Sequence, residues 1–431
     1  MRKLVSILVL FVFSQSAYAF IGGIDDGGFA AATERAVALA YLHRPSAVYD
    51  ASADKTYIVY QDVEYDIYFT FYDHVTEQGA FPRKLGDGLT ADDHGGPTIG
   101  LDSAGFIHVF GGSHDSALKH WKSNSANNPN AFTAQSNIGS DLTYPFLINF
   151  DSKLWLFIRS GTSQTGEWKY SNEDDFTSFT TLTDATSISG SSYIGGVTAN
   201  ADFIYLTWVW VDTVSDQNRY DVMFAKFDGT TWYKADGVTT YTLPITPTAG
   251  EVVVDTSTMT QAWDIAVTTA GVILIQYTNV NKTGLDNGDG FIGTGDVRVA
   301  IYSGSWATYK ITDANNMVDQ GQFKINSTSD FDVYIQDAGV NDGSPATRGG
   351  VIKRFGSTNT GQAWASEATI SYDSSIQGND PQLVVDFDAD IEVIWTEGNS
   401  SPSSVRTWPT DFTYTYNGIT HKGVSSGASS R

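Results

Sequence analysis

Four side chains of the right types stand at matched places in this sequence. In "DDHGGPTIGLDSAGFIHVFGGSHD" (92–115), His94 comes just before an extended run and His114 just after the next one. In "TYPFLINFDSKLWLFIRSG" (143–161), Tyr144 and Arg159 fill the same two slots. Two histidines, a tyrosine and an arginine, without a pair of carboxylates, suit β-elimination on a uronic acid. The C5 proton of such a sugar is acidic only when its carboxylate is neutralised, and a permanently charged, bidentate arginine does that well. A neutral histidine can take the proton while a tyrosine hydroxyl protonates the departing O4. The second histidine helps the arginine as enolate-like charge develops. A glycosidase would need two carboxyl groups about 5–9.5 Å apart. The nearby acids are Asp92, Asp93, Asp115 and Asp141, of which Asp93 or Asp115 could orient a histidine just as well as act on a glycosidic bond.

Singly, each of the four has an ordinary explanation. A histidine beside a turn is usually solvated or hydrogen-bonded, tyrosine before proline is common loop chemistry, and an arginine closing a strand often makes a surface ion pair. Their joint placement is what needs a cause, and the elements supply it. A short apolar strand, an Asp/Asn/Gly turn and an alternating apolar strand recur through the chain. The copies are "RPSAVYDASADKTYIVYQD", "GPTIGLDSAGFIHVFGG", "YPFLINFDSKLWLFIRSG", "IGGVTANADFIYLTWVW", "WDIAVTTAGVILIQYT", "QGQFKINSTSDFDVYIQD" and "DPQLVVDFDADIEVIWTE". Each is followed by a third strand-like piece such as "LKHWKS" or "EWKYSN" and leaves room for a fourth. The spacing predicts an all-β fold, a seven-bladed β-propeller of four-stranded antiparallel blades over residues 44–422. In such a blade the start of the first strand and the end of the second share one edge. His94, His114, Tyr144 and Arg159 are therefore expected on one face of two neighbouring blades. Tyr193 fills the equivalent slot of the fourth blade. Lys119, Lys122 and Arg219 are the basic residues expected to meet anionic groups of a substrate.

The remaining histidines are read as structural. His108 alternates with Phe106 and Phe110 inside a strand and is expected to be packed or hydrogen-bonded. His120 lies on a mid-blade strand, and His43, His74 and His421 have no comparable partners.

The start, "MRKLVSILVLFVFSQSAYA", has a basic end, an apolar run and small residues, the pattern of a secretory signal peptide over 1–19. A segment 20–43 follows, with a short helix expected in "FAAATERAVALAYL" (29–42), and 423–431 reads as a disordered tail. A secreted chain (extracellular or periplasmic), without a membrane span and monomeric, is the expectation. With no cysteine, stability must come from a packed core, and any cysteine-ligated zinc is excluded. The net charge of −24 argues against nucleic acid and anionic membranes as partners. An anionic polymer remains compatible where a cleft is locally basic and the medium salty. No cofactor is expected. "GLDNGDGFIGTGD" (284–296) could wrap a structural calcium, but it lacks the full EF-hand ligand register and reads first as a solvated loop.

The run "FYDHVTEQGAFPRKLGDGLTADDHGGPTIGLDSAGFIHVFGGSHDSALKHWKS", continued by "TYPFLINFDSKLWLFIRSG", "IYLTWVWVD" and "YDVMFAKFDGTTWYKADG", resembles the BNR-repeat propeller family that contains the ulvan lyases. The resemblance covers residues 44–260 clearly and the last three blades by pattern. It implies a seven-bladed propeller, and a polysaccharide lyase that cleaves uronyl bonds next to sulfated rhamnose with a His, His, Tyr, Arg set. The positions matching that set are His94, His114, Tyr144 and Arg159. The implied partner is an anionic sulfated polysaccharide, most simply ulvan. Two other readings stay open. A sialidase-like hydrolase would need three convergent arginines, for which Arg44 and Arg159 offer two. A non-catalytic lectin could stack sugars on aromatics such as Trp208 and Trp210.

Overall fold

The computed structural model describes residues 38–39, 43–62, 64–89, 93–161, 165–212, 218–256, 259–285, 291–316, 320–337, 351–371, 378–387, 391–397, 404–409, 413–416 and 419–422. The expected signal peptide, most of the expected helix, the middle of the 284–296 loop and the tail fall outside them.

Up-and-down antiparallel sheets follow one another along the chain, and among the described residues helix is confined to short 3-10 turns. The first sheet is built on Ala47–Asp50, Lys55–Gln61 and Ile67–Asp73. The second holds two consecutive groups, residues 98–134 and 138–181, joined where Ile138 pairs with Leu118 and Leu142 with Ser116. The third is led by Ser191–Ala199, Ile204–Asp212 and Asn218–Phe227, with Glu251–Val254 added to the last of these. Met259–Val267 opens the fourth, which continues through Ile273–Leu285, Phe291–Tyr302 and Trp306–Asn316. Gly321–Ile325 and Gly378–Leu383 open the fifth and sixth.

The strands form where they do because their sequences fit a sheet covered on both faces. Ile204–Val211 is buried at every position, and such sandwiched strands read as near-continuous runs of large apolar and β-branched residues. Tight turns separate them. Phe150 pairs with Lys153 across Asp151 and Ser152, both at positive φ (49° and 57°), as a two-residue hairpin with the twist of its strands demands.

The opening strands of successive groups pack side by side: Ala47–Asp50 on Thr98–Leu101, that strand on Ile138–Phe150, and so on through Ser191–Ala199, Met259–Val267, Gly321–Ile325 and Gly378–Leu383. The last of these returns to the first. The Val385 amide donates to the Ala47 carbonyl (3.1 Å), and the Tyr49 amide to the Val385 carbonyl (2.9 Å). The arrangement is propeller-like. Residues 43–46 cross its middle: the Leu147 amide donates to the Arg44 carbonyl (2.9 Å), and the Ile99 amide to the Pro45 carbonyl (2.9 Å). The Arg44 guanidinium donates to the Trp263 carbonyl (2.6 Å), the Gln320 side chain (3.3 Å) and Asp264 (3.5 Å). Arg44 therefore ties distant sheets together from a buried position.

Candidate active site

His94 lies in the 3-10 turn Asp93–Gly95, directly before Thr98–Leu101, and His114 follows Ile107–Gly111. Those strands pair antiparallel, so both residues fall at one edge. A close backbone approach joins the two connections. The Gly112 amide donates to the Gly95 carbonyl at 2.6 Å, with Gly112 at φ +66°, a conformation that costs a glycine little. The histidine rings consequently stack, with centroids 4.3 Å apart and planes 12° from parallel.

Tyr144 comes from the next strand group, on Ile138–Phe150. It precedes Pro145 yet sits at φ +59°, inside the register shift between Thr143 and Phe146. An aromatic residue in that region costs on the order of 1–3 kcal/mol, a strain that persists where the surroundings fix it and that clusters at functional sites. The kink turns the buried tyrosine ring to 5.8 Å from that of His94. Arg159 is placed by the same ladder, since its backbone pairs with Thr143. Its guanidinium carbon stands 4.7 Å from the Tyr144 ring centroid and 5.0 Å from that of Tyr193.

The electrostatics centre on Arg159, whose side chain is 0% exposed. One amino group, Nη2, donates to Asp115 at 3.2 Å, while Nε and Nη1 are buried with no hydrogen-bond partner. Burial opposes its charge, but Tyr193, Tyr144 and Asp115 outweigh that and hold the guanidinium above its ordinary pKa. Asp115, itself at φ +46°, is fixed by the Thr143 hydroxyl, which donates to its carboxylate (3.1 Å) and accepts from its amide (2.8 Å). Buried donors without acceptors cost about 1–3 kcal/mol each, and such a cost points to a ligand that supplies the acceptor.

The cluster extends along the third sheet. Tyr193 lies 5.9 Å from the Tyr144 ring, and the Arg219 guanidinium is 4.4 Å from the Tyr193 centroid. Arg219 donates through Nη1 to Gln261 at 2.6 Å. Lys119 borders the histidine side. Its stem lies against Gly112, and its ammonium is held by the carbonyls of Asp87 (2.5 Å) and Gly88 (3.2 Å).

Lys122 is not brought to this cluster. It pairs across the sheet with His108 and donates to Asp102 at 2.9 Å, at the opposite edge from His94 and His114. Lysines three apart on one strand reach different ends of the sheet, so only Lys119 stays near. The other histidines mostly follow the structural reading. His108 bridges Asp102 (3.0 Å) and His120 (2.9 Å), and His74 bonds the Thr56 hydroxyl (2.8 Å). His43 is the exception: its buried ring meets Tyr144 edge-on at 5.4 Å. The sequence held a signal for it. His43 stands before "RPSAVYD" as His94 stands before "GGPTIGLD" and Tyr144 before "PFLINF".

The alternative readings lose their supports here. Arg44 is taken up by Trp263, Asp264 and Gln320 rather than offered to a sugar carboxylate. Trp208 and Trp210 are fully buried and present no stacking surface. The Asp115 carboxylate is engaged by Arg159 and Thr143, and that of Asp141 accepts from the Ser160 hydroxyl (3.1 Å). The side chains of Asp92 and Asp93 lie outside the described residues.

Comparison with known proteins adds a family and two kinds of relative. The model of a BNR repeat-containing family matches residues 49–314, more than half of the chain. An ulvan lyase of Alteromonas sp. (strain LOR) is 27% identical over 161 residues, covering 32% of this chain and 33% of that protein. The ulvan lyase PL25 of Pseudoalteromonas sp. (strain PLSV) is 28% identical over 161 residues, covering 32% of each. The chain thus spans about a third of the length of these curated relatives. Among solved structures, a PL25 ulvan lyase bound to -[GlcA(1-4)Rha3S]- superposes with a TM-score of 0.74 at 19% identity, over 88% of this chain and 94% of that one. That likeness shows a shared fold.

Proposed function

The chain belongs to the BNR repeat-containing family, and from that premise we propose that it is a polysaccharide lyase, secreted and acting without a cofactor on ulvan. The family match, the relatives named ulvan lyase and the structural neighbour holding a GlcA–Rha3S chain support the substrate. The observation that carries the chemistry is Arg159: a fully buried guanidinium with unmatched donors, bracketed by Tyr144 and Tyr193 and near the stacked histidines. On the same reading the consecutive strand groups are seven blades, supported by seven opening strands that pack in series and return from Val385 to Ala47. The basic and apolar start supports export.

The uronyl carboxylate takes up the free donors of Arg159, which makes the C5 proton acidic. A neutral histidine of the His94–His114 pair removes that proton. The C5–H electron pair becomes the C4=C5 double bond as the C4–O4 bond breaks, and Tyr144 delivers its proton to O4. The Arg159 charge, 4.7 Å from the ring, stabilises negative charge on the phenol oxygen as the proton leaves. The other histidine supports the enolate-like charge, while Tyr193 and Arg219 continue the binding surface. Incubating the purified chain with ulvan, alginate and heparan sulfate tests this. Ultraviolet absorbance of an unsaturated uronyl group should rise with ulvan alone. A rise with a different polymer alone would overturn the substrate, and no rise with any would overturn the activity.

A further inference from the structure

Asp115 joins the two sides of the cluster. It follows His114 directly, on the connection between Ile107–Gly111 and Ser116–Ser123, but its partners lie in the next strand group. Its amide donates to the Thr143 hydroxyl (2.8 Å), and that hydroxyl donates back to the Asp115 carboxylate oxygen Oδ1 (3.1 Å). The same oxygen accepts from Arg159 Nη2 at 3.2 Å. Thr143 is fully buried, stands directly before Tyr144 and pairs through its backbone with Arg159. One carboxylate oxygen and one hydroxyl thus tie the chain beside His114 and Tyr144 to the head of Arg159.

An arginine that must meet a carboxylate needs such a hold. The Tyr144 and Tyr193 rings, 4.7 and 5.0 Å from the guanidinium carbon, limit where its centre can lie. Ring contacts do not set the rotation of the fork, whereas a hydrogen bond is directional, and fixing one amino group of a planar guanidinium directs the others. A misplacement of about 1 Å can cost on the order of 10²-fold in rate. Resting on the lyase reading, we infer that Asp115 is a positioning residue: anchored by Thr143, it turns the Arg159 fork so that its remaining donors meet the uronyl carboxylate. The role is one of geometry. A carboxylate beside the arginine offsets part of its attraction for an anionic sugar, so the charge of Asp115 by itself works against binding.

The test uses the full chain carrying Tyr144→Phe, so that turnover does not disturb a titration, and two ligands measured by calorimetry. One is an ulvan tetrasaccharide, the other the same chain with its uronic acids reduced to neutral hexoses and its sulfates kept. Adding Asp115→Ala, or Thr143→Val as the independent variant, should weaken the acid form about 10-fold or more, as expected when a buried charge-assisted contact loses its alignment. The reduced form should bind as before. Asp115→Asn keeps an acceptor oxygen without the charge and should restore the affinity of the acid form. Equal weakening of both ligands would make Asp115 merely structural and overturn the inference. So would no weakening of the acid form, a loss in Asp115→Asn as large as in Asp115→Ala, or no binding of either ligand. If the parent chain fails to cleave ulvan yet the selective loss and its rescue appear, the positioning role stands and the lyase reading falls.

Discussion

At the scale of single residues, the site rests on a tyrosine held in a costly conformation and an arginine left incompletely bonded. Tyr144 at φ +59° brings its ring between those of His94, His43 and Tyr193. Its proposed role is to protonate O4, and general acids of this kind contribute typically 10²–10⁴-fold. Tyr144→Phe should therefore lower kcat on ulvan by about 10²–10⁴-fold while leaving the circular dichroism spectrum unchanged, because the ring packing is kept. Full activity in this variant would remove Tyr144 from the chemistry. His94, His114, Tyr144 and Arg159 were legible in the sequence because equivalent slots of a repeated unit share an edge. The kink at Tyr144 was not: a residue before proline favours extended backbone, and only the bulge opposite Arg159 imposes the other choice.

At the scale of elements, the strand pair and its turn decide which residues can meet. The alternation that separates sheet faces does not say which end of a strand a long side chain reaches, and Lys122 shows the limit. His43 shows the reverse case. Its slot before a proline-led strand was readable, but its neighbourhood depends on residues 43–46 crossing to Phe146, a contact between distant parts of the chain. The buried row Asp102, His108 and His120 belongs to this scale too, packing against Phe110 and Phe176. Burial, then the charges of His108 and Lys122, push the His120 pKa down to about 3. In the unfolded chain a histidine takes up its proton near pH 6.5. The folded form resists it, so stability is full above that value and falls with pH from there towards 3. Between pH 7 and 5 the parent should lose roughly 1–2 kcal/mol more than His120→Gln by urea denaturation. Equal losses would show that His120 is not held neutral.

At the scale of the whole molecule, the proposed anionic polymer would meet a net charge of −24 across a cluster containing Arg159 and Arg219. The two effects differ in range. Repulsion from the surface acts over the Debye length, about 30 Å at 0.01 M and 10 Å at 0.1 M, whereas the arginine contacts act at hydrogen-bond distance. Raising salt from 10 to 150 mM should then increase kcat/KM on polymer, and a steady decline would mean that local attraction dominates encounter. The fold at this scale was legible because each strand group repeats one pattern. The ring's closure through Val385 was not, since it joins residues from opposite ends of the chain.

The central claim is that the cluster eliminates rather than hydrolyses, and product mass tests it most directly. A defined ulvan oligosaccharide cut by the parent chain should give two fragments whose masses sum to that of the substrate, one of them carrying the unsaturated uronyl end. Fragments that together exceed the substrate by one water would contradict elimination and return the site to hydrolysis.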